Sequence, residues 1–140
     1  MKRRRRTEIL IQENGQLAQE LAETIIDAYE CKEILAPQYG LTMIKMRESA
    51  KKSLFYIGEV LITEAKVEIN NCIGLGIVVG MEDELAKHLA IIDAAYKAKL
   101  PETITWRNQL IEAEKQIIKE HAKKQAELFK TKVNFETMEI

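Results

Sequence analysis

With 140 residues the chain has the length of one ordinary domain, and its 46% hydrophobic and 31% charged residues suit a folded chain rather than a disordered one. The formal net charge is -1, but five basic residues crowd Lys2 to Arg6 and the remainder carries -6, which argues against a body that attracts nucleic acid over a broad face. Cys31 and Cys72 are the only cysteines, too few to staple a domain of this size, and read as thiols of a cytosolic protein.

Only Ile9, Leu10 and Ile11 form an apolar run after the basic start, short of the roughly 7 residues of a signal-peptide core. No stretch reaches the roughly 18 apolar residues that span a bilayer. A cytoplasmic protein without a membrane partner is therefore expected. The reading is a single domain over 1–140, with a basic segment given freedom to move at 1–14 and a tail at 131–140.

In chain order, Leu17, Leu21, Ile25 and Tyr29 recur every fourth position, and Ala18, Ala22 and Ala28 widen the stripe. This predicts an amphipathic helix from Gln16 to Glu30, opened by Asn14-Gly15, with room for a shorter helix before it. Pro37 and Gly40 break the pattern. Strands are predicted for Leu41 to Arg47, Leu54 to Ile69 and Ile73 to Val79, with a turn at Asn70-Asn71 and a further short strand at Ile34 to Ala36. The short connections make the sheet antiparallel, with three to four strands. A helix from Glu82 to Ala98 carries Leu85, Leu89, Ile92 and Tyr96 on one face and acidic residues in its first turn. Beyond Pro101 a long helix runs from about Thr103 to Lys130, and its distal half is expected to pack on another chain. The fold class is α+β: an antiparallel sheet, packed helices and a long C-terminal helix.

Gly74, Gly76 and Gly80 precede a helix, but Val79 occupies the position of the third glycine of a dinucleotide fingerprint. The following Glu82, Asp83 and Glu84 would repel a pyrophosphate there. Glycines facing a close-packed helix are the simpler reading. Glu59 and Thr63 share a strand face with Leu61, Ala65, Val67 and Ile69. Either Arg47 neutralises a desolvated Glu59, or a bulge at Gly58 turns Glu59 outward, or Arg47, Glu59 and Thr63 form a catalytic cluster. His88 and His121 lie on different predicted helices and no Cys or His pair has ligand spacing, so no metal site is expected. Nucleophile-elbow and phosphate-loop motifs are absent. Lys2 to Arg6 read as a solvated helix start or as an attraction to phosphates of a ligand or RNA, although no aromatic residue interleaves with them.

The order of motifs resembles one family throughout the chain. Phe55-x-x-Gly58-Glu59-Val60-Leu61-Ile62-Thr63-Glu64-Ala65-x-Val67 is similar to the central stretch of the G subunit of bacterial carbon–phosphorus lyase (the PhnG family). Gly74-x-Gly76-x-x-x-Gly80, Ala90-Ile-Ile-Asp93-Ala-Ala95, a long helix and Thr131-Lys-Val133-Asn134-Phe135-x-Thr137-Met138 follow in the same order. Asn134 stands where an aspartate is more usual, and the basic start is peculiar to this chain. The resemblance implies a subunit that joins the H, I and J subunits in a core complex, with an ATP-binding-cassette-like partner. It further implies a part in forming ribose 1-methylphosphonate 5-triphosphate from ATP and methylphosphonate, with adenine released. ATP is then a substrate of the complex, and the chain alone binds no cofactor and is not catalytic. Phe135 and Met138 are expected to dock on a neighbouring subunit or on a second copy in a homodimer; the alternative is that the tail closes its own sheet. A small nucleic-acid- or phosphate-binding module using the basic N-terminus is the competing function.

Overall fold

A computed structural model describes the backbone of residues 2–47 and 54–138 and the side chains of residues 2–45 and 57–132. The described residues form α1 (Arg3–Gln12), α2 (Gln16–Ala28), β1 (Lys32–Arg47), β2 (Leu54–Ile69), β3 (Cys72–Val79), α3 (Asp83–Lys97) and α4 (Glu102–Met138). The strands lie in the order β1-β2-β3, antiparallel throughout, as their short connections require. Asn70 and Asn71 both take positive φ, the geometry of a two-residue hairpin turn, and close β2 onto β3.

The sheet has three strands because Ile34 to Ala36 is no separate element. It is continuous with the following segment in β1, which runs through both Pro37 and Gly40. Two circumstances allow this. β1 is an edge strand, where a proline without an N–H leaves no ladder bond unmade. The register also slips between Leu35, opposite Lys66, and Gln38, opposite Glu64, so one residue is absorbed in an irregularity beside the proline.

One face of the sheet is covered. Thr63, Ala65, Val67 and Ile69 of β2 and Gly74, Gly76 and Val78 of β3 point into the core, their neighbours outward, in the alternation the sequence predicts. α3 lies across β3 and β2, and α2 packs on the far side of α3. Leu89 to Ala95 are consecutively buried, so this part of α3 is enclosed all round rather than along one stripe. Gly74 and Gly76 make the close contact possible: a Cβ on either would meet the backbone of α3, at Ala90 and Ala94 for Gly74 and at Ala86 and Ala90 for Gly76. Gly80 takes no part in this, since it lies beyond the strand at φ 93° and nothing lies within 4 Å of the position a Cβ would take.

The basic start is a helix packed on the body. Ile9 and Leu10 are core residues, and α1 touches α3 and α4. Its arginines fan out because successive helical residues point about 100° apart. Arg4 is solvated, as the sequence reading expects, whereas Arg6 is buried at 6% exposure.

α4 continues past Lys130 without a break, so residues 131–138 extend the helix instead of forming a separate tail. Trp106 and Leu110 anchor its first turns in the core. From Ile118 to Lys132 every residue is exposed, including Ile118, Leu128 and Phe129. No other described element covers this half of the helix.

Candidate functional site

The polar centre of the molecule is Asp93, on the enclosed part of α3. Its carboxylate is 4% exposed and receives a hydrogen bond from Arg6 Nη2 at 3.2 Å and one from the Leu75 N–H at 2.9 Å. Arg3 Nε lies 3.2 Å from the same carboxylate and Lys97 Nζ 3.3 Å from it. One acid thus gathers three cations from two helices and fastens them to β3. Arg6 in turn lies with its guanidinium carbon 3.9 Å from the centroid of the Tyr96 ring, which meets Trp106 edge-on at 5.7 Å. Stacking on an aromatic face suits a guanidinium withdrawn from water. Burial draws the Arg6 pKa down, opposed by Tyr96 and Asp93, and burial pushes the Tyr96 hydroxyl up.

The same side chains guard the open edge of the sheet. Residues 73, 75, 77 and 79 of β3 face away from β2 at this edge. Lys97 donates to the Ile73 carbonyl at 2.9 Å and Arg3 to the Leu75 carbonyl at 3.3 Å, while Asp93 accepts from the Leu75 N–H. Three backbone groups that would template another strand, the Ile73 and Leu75 carbonyls and the Leu75 N–H, are thus occupied by side chains. On the other flank of α1, Arg5 binds Glu114 of α4 through Nε at 2.7 Å, a pairing that lowers the Glu114 pKa and raises that of Arg5. Between α1 and the β3 edge lies a groove of about 460 Å³.

Of the candidates from sequence, Thr63 and Glu59 are described with their side chains and Arg47 by its backbone alone. Thr63 is fully buried, but its hydroxyl donates to the Gly80 carbonyl at 2.6 Å and accepts from the Glu82 N–H at 3.0 Å. It therefore pins the turn between β3 and α3. Thr63→Val keeps the shape and orphans both backbone groups, for an expected loss of about 1–3 kcal/mol in urea unfolding. A loss under 0.5 kcal/mol would show the turn is held by other contacts. Glu59 sits beyond the reach of the helices and is exposed. A bulge is present nearby, at Ile57 rather than Gly58, because Ile44 is opposite Gly58 and Lys45 opposite Tyr56. Glu59 is solvated because the cover stops at Thr63; its place in the alternation still assigns it to the core face.

Arg47 is paired in register with Leu54 and Glu59 with Met43, so four residues of β1 separate the two positions, about 13 Å along a strand. The side chain of Arg47 lies outside the described residues, as do those of Phe135 and Met138, whose backbone belongs to α4. His88 is half-buried on α3, with its pKa drawn down by burial, and His121 is exposed beside Gln125 on α4. No three His, Cys, Asp or Glu residues cluster for a metal among the described residues. Cys31 and Cys72 are unpaired and half-buried. No described helix is long and apolar enough to cross a membrane.

Sequence reasoning passed over Asp93. The signal was present in Ala90-Ile-Ile-Asp93-Ala-Ala95, a lone acid in an otherwise apolar run. Such a residue needs a buried partner, and that partner is 87 positions away.

Fold and cluster together define a small α+β domain tied by a buried ion cluster, with its sheet extending well past its own helices. Residues 1–139 match the family described as phosphonate metabolism protein PhnG, and the chain belongs to that family. It is thus a protein of phosphonate metabolism. Comparison with curated proteins returns no match.

Proposed function

We propose that the chain is the G subunit of a cytoplasmic carbon–phosphorus lyase core complex. Alongside the H, I and J subunits and an ATP-binding-cassette-like partner, it supports formation of α-D-ribose 1-methylphosphonate 5-triphosphate from ATP and methylphosphonate, with release of adenine. Its contribution is to hold the assembly together, and it is not catalytic alone. The observation that carries this reading, beyond family membership, is the bare arm of the sheet. Past Thr63, Leu41 and Leu61 stand directly opposite each other on the face that α3 covers elsewhere, yet they are 67% and 38% exposed. Tyr39 and Met43, two residues either side of Leu41 on the same strand face, extend this surface. Contiguous exposed apolar surface of this kind is a feature of protein–protein contacts.

Co-expression with the other core subunits tests the reading. Leu41→Asp is expected to remove the chain from the complex on size-exclusion chromatography while the melting temperature of the isolated chain stays within about 2 °C, since Leu41 contributes little to its own core. Phe135→Ala tests the proposed contact at the helix end in the same assay. Adenine release by the pure chain, abolished by Glu59→Gln, would overturn the assembly reading in favour of a self-sufficient enzyme.

A further inference from the structure

The distal half of α4 sorts its side chains by line. Residues 115–132 hold six lysines and two glutamates, in a chain whose formal net charge is -1, and every side chain from Ile118 to Lys132 is exposed. Successive helical residues turn by about 100°, so residues four, seven or eleven apart share one line along the helix. Ile118, Ala122 and Phe129 form such a line, an apolar stripe that no described element covers. The residues directly after them, Lys119, Lys123 and Lys130, form a second line that borders the stripe on one side. Glu120 and Glu127 lie roughly 160–180° round from the stripe, on the far face. None of the ion pairs among the described residues involves these lysines. Lys119 and Lys123 are moreover like charges at i,i+4, a spacing that disfavours an isolated helix. The helix thus presents an apolar seam with an unanswered basic border.

We propose that this seam docks an acidic amphipathic helix of another subunit, with apolar residues laid on Ile118, Ala122 and Phe129 and a row of carboxylates against Lys119, Lys123 and Lys130. The contact rests on the assembly reading and is separate from the bare arm of the sheet. Spacings of four and seven match the seam between two packed helices, and the charges bordering such a seam select the partner and its direction. A second copy of this half helix fits in neither direction. Antiparallel, it sets lysine border against lysine border. Parallel, it sets the lysines beside the line of Ile117, His121 and Leu128, which holds no carboxylate. A nucleic acid would answer the lysines but leave Ile118 and Phe129 in water.

Treatment of the co-expressed core complex with a carbodiimide, which joins an amine to a carboxylate in direct contact, tests it. Crosslinks are expected from Lys119, Lys123 or Lys130 to carboxylates on one helix of another subunit. Lys119→Glu combined with Lys123→Glu should weaken incorporation of the chain into the complex about ten-fold or more, with the melting temperature of the isolated chain unchanged. Lys124→Glu reverses an exposed charge away from the seam and should assemble as the parent does. A complex that forms on size-exclusion chromatography without these crosslinks, or a Lys124→Glu chain as impaired as the double variant, overturns the docking and leaves the assembly reading standing. If no complex forms, both are overturned. Crosslinks confined to two copies of this chain would assign the seam to a second copy instead. Retention of the isolated chain on phosphatidylglycerol vesicles or on RNA, lost in the double variant, would assign it to a lipid surface or a nucleic acid.

Discussion

Replacement of Asp93 by alanine is expected to cost about 3–5 kcal/mol of unfolding free energy, the range for removing one partner of a buried ion pair. The loss is unevenly shared among its contacts. Arg3 and Lys97 have side chains about half exposed and can turn to water when the carboxylate goes. Arg6 cannot: its side chain is 7% exposed and wedged over Tyr96. The Leu75 N–H is orphaned as well. Because the unpaired Arg6 charge is the main penalty, Arg6→Met added to Asp93→Ala should recover part of the stability, methionine filling the space against the ring without needing a counter-charge. Urea unfolding of the two single variants and the double variant gives the coupling directly. A single Asp93→Ala loss below about 1 kcal/mol would mean that the cluster is solvated in solution.

The second large effect is expected from Gly76→Ala. An added Cβ would run into the carbonyl of Ala86 and come within 2.8 Å of the Ala90 nitrogen. These are backbone atoms of α3, so no rotamer change relieves the contact and the helix must lift from the sheet. Overpacking of this kind costs about 1–3 kcal/mol where side chains can adjust. With only backbone to move, the upper end is expected, and Gly74→Ala with Gly76→Ala should leave no cooperative thermal transition. Gly40→Ala is the internal control: nothing lies within 4 Å of its Cβ position, and alanine in an exposed strand should be neutral or slightly stabilising. Equal melting temperatures for Gly76→Ala and Gly40→Ala would contradict the close seating of α3.

Much of this architecture was legible residue by residue. Strict alternation from Thr63 to Ile69 and from Gly74 to Val78 specified two strands and their buried face, since a pleated strand has a period of two. Gly74 and Gly76 on that face announced a close backbone approach. Their partners were legible too, in retrospect, as Ala86, Ala90 and Ala94, small residues four apart on one side of α3. Local chemistry settled these features because each depends on neighbours a few residues away.

What the chain alone determined was therefore its elements, its antiparallel order and its family, all carried by short-range pattern and motif order. Only the tertiary structure decided the rest. Five consecutive basic residues read as one charged block in a line of text. In a helix they point in different directions, so Arg6 goes to Asp93, Arg5 to Glu114 and Arg4 to solvent. Glu59 looked half-buried because alternation reports which face a residue occupies, not how far the covering helices reach. Desolvation depends on what lies opposite in space, and for Asp93 and Arg6 that is set by a contact 87 residues apart.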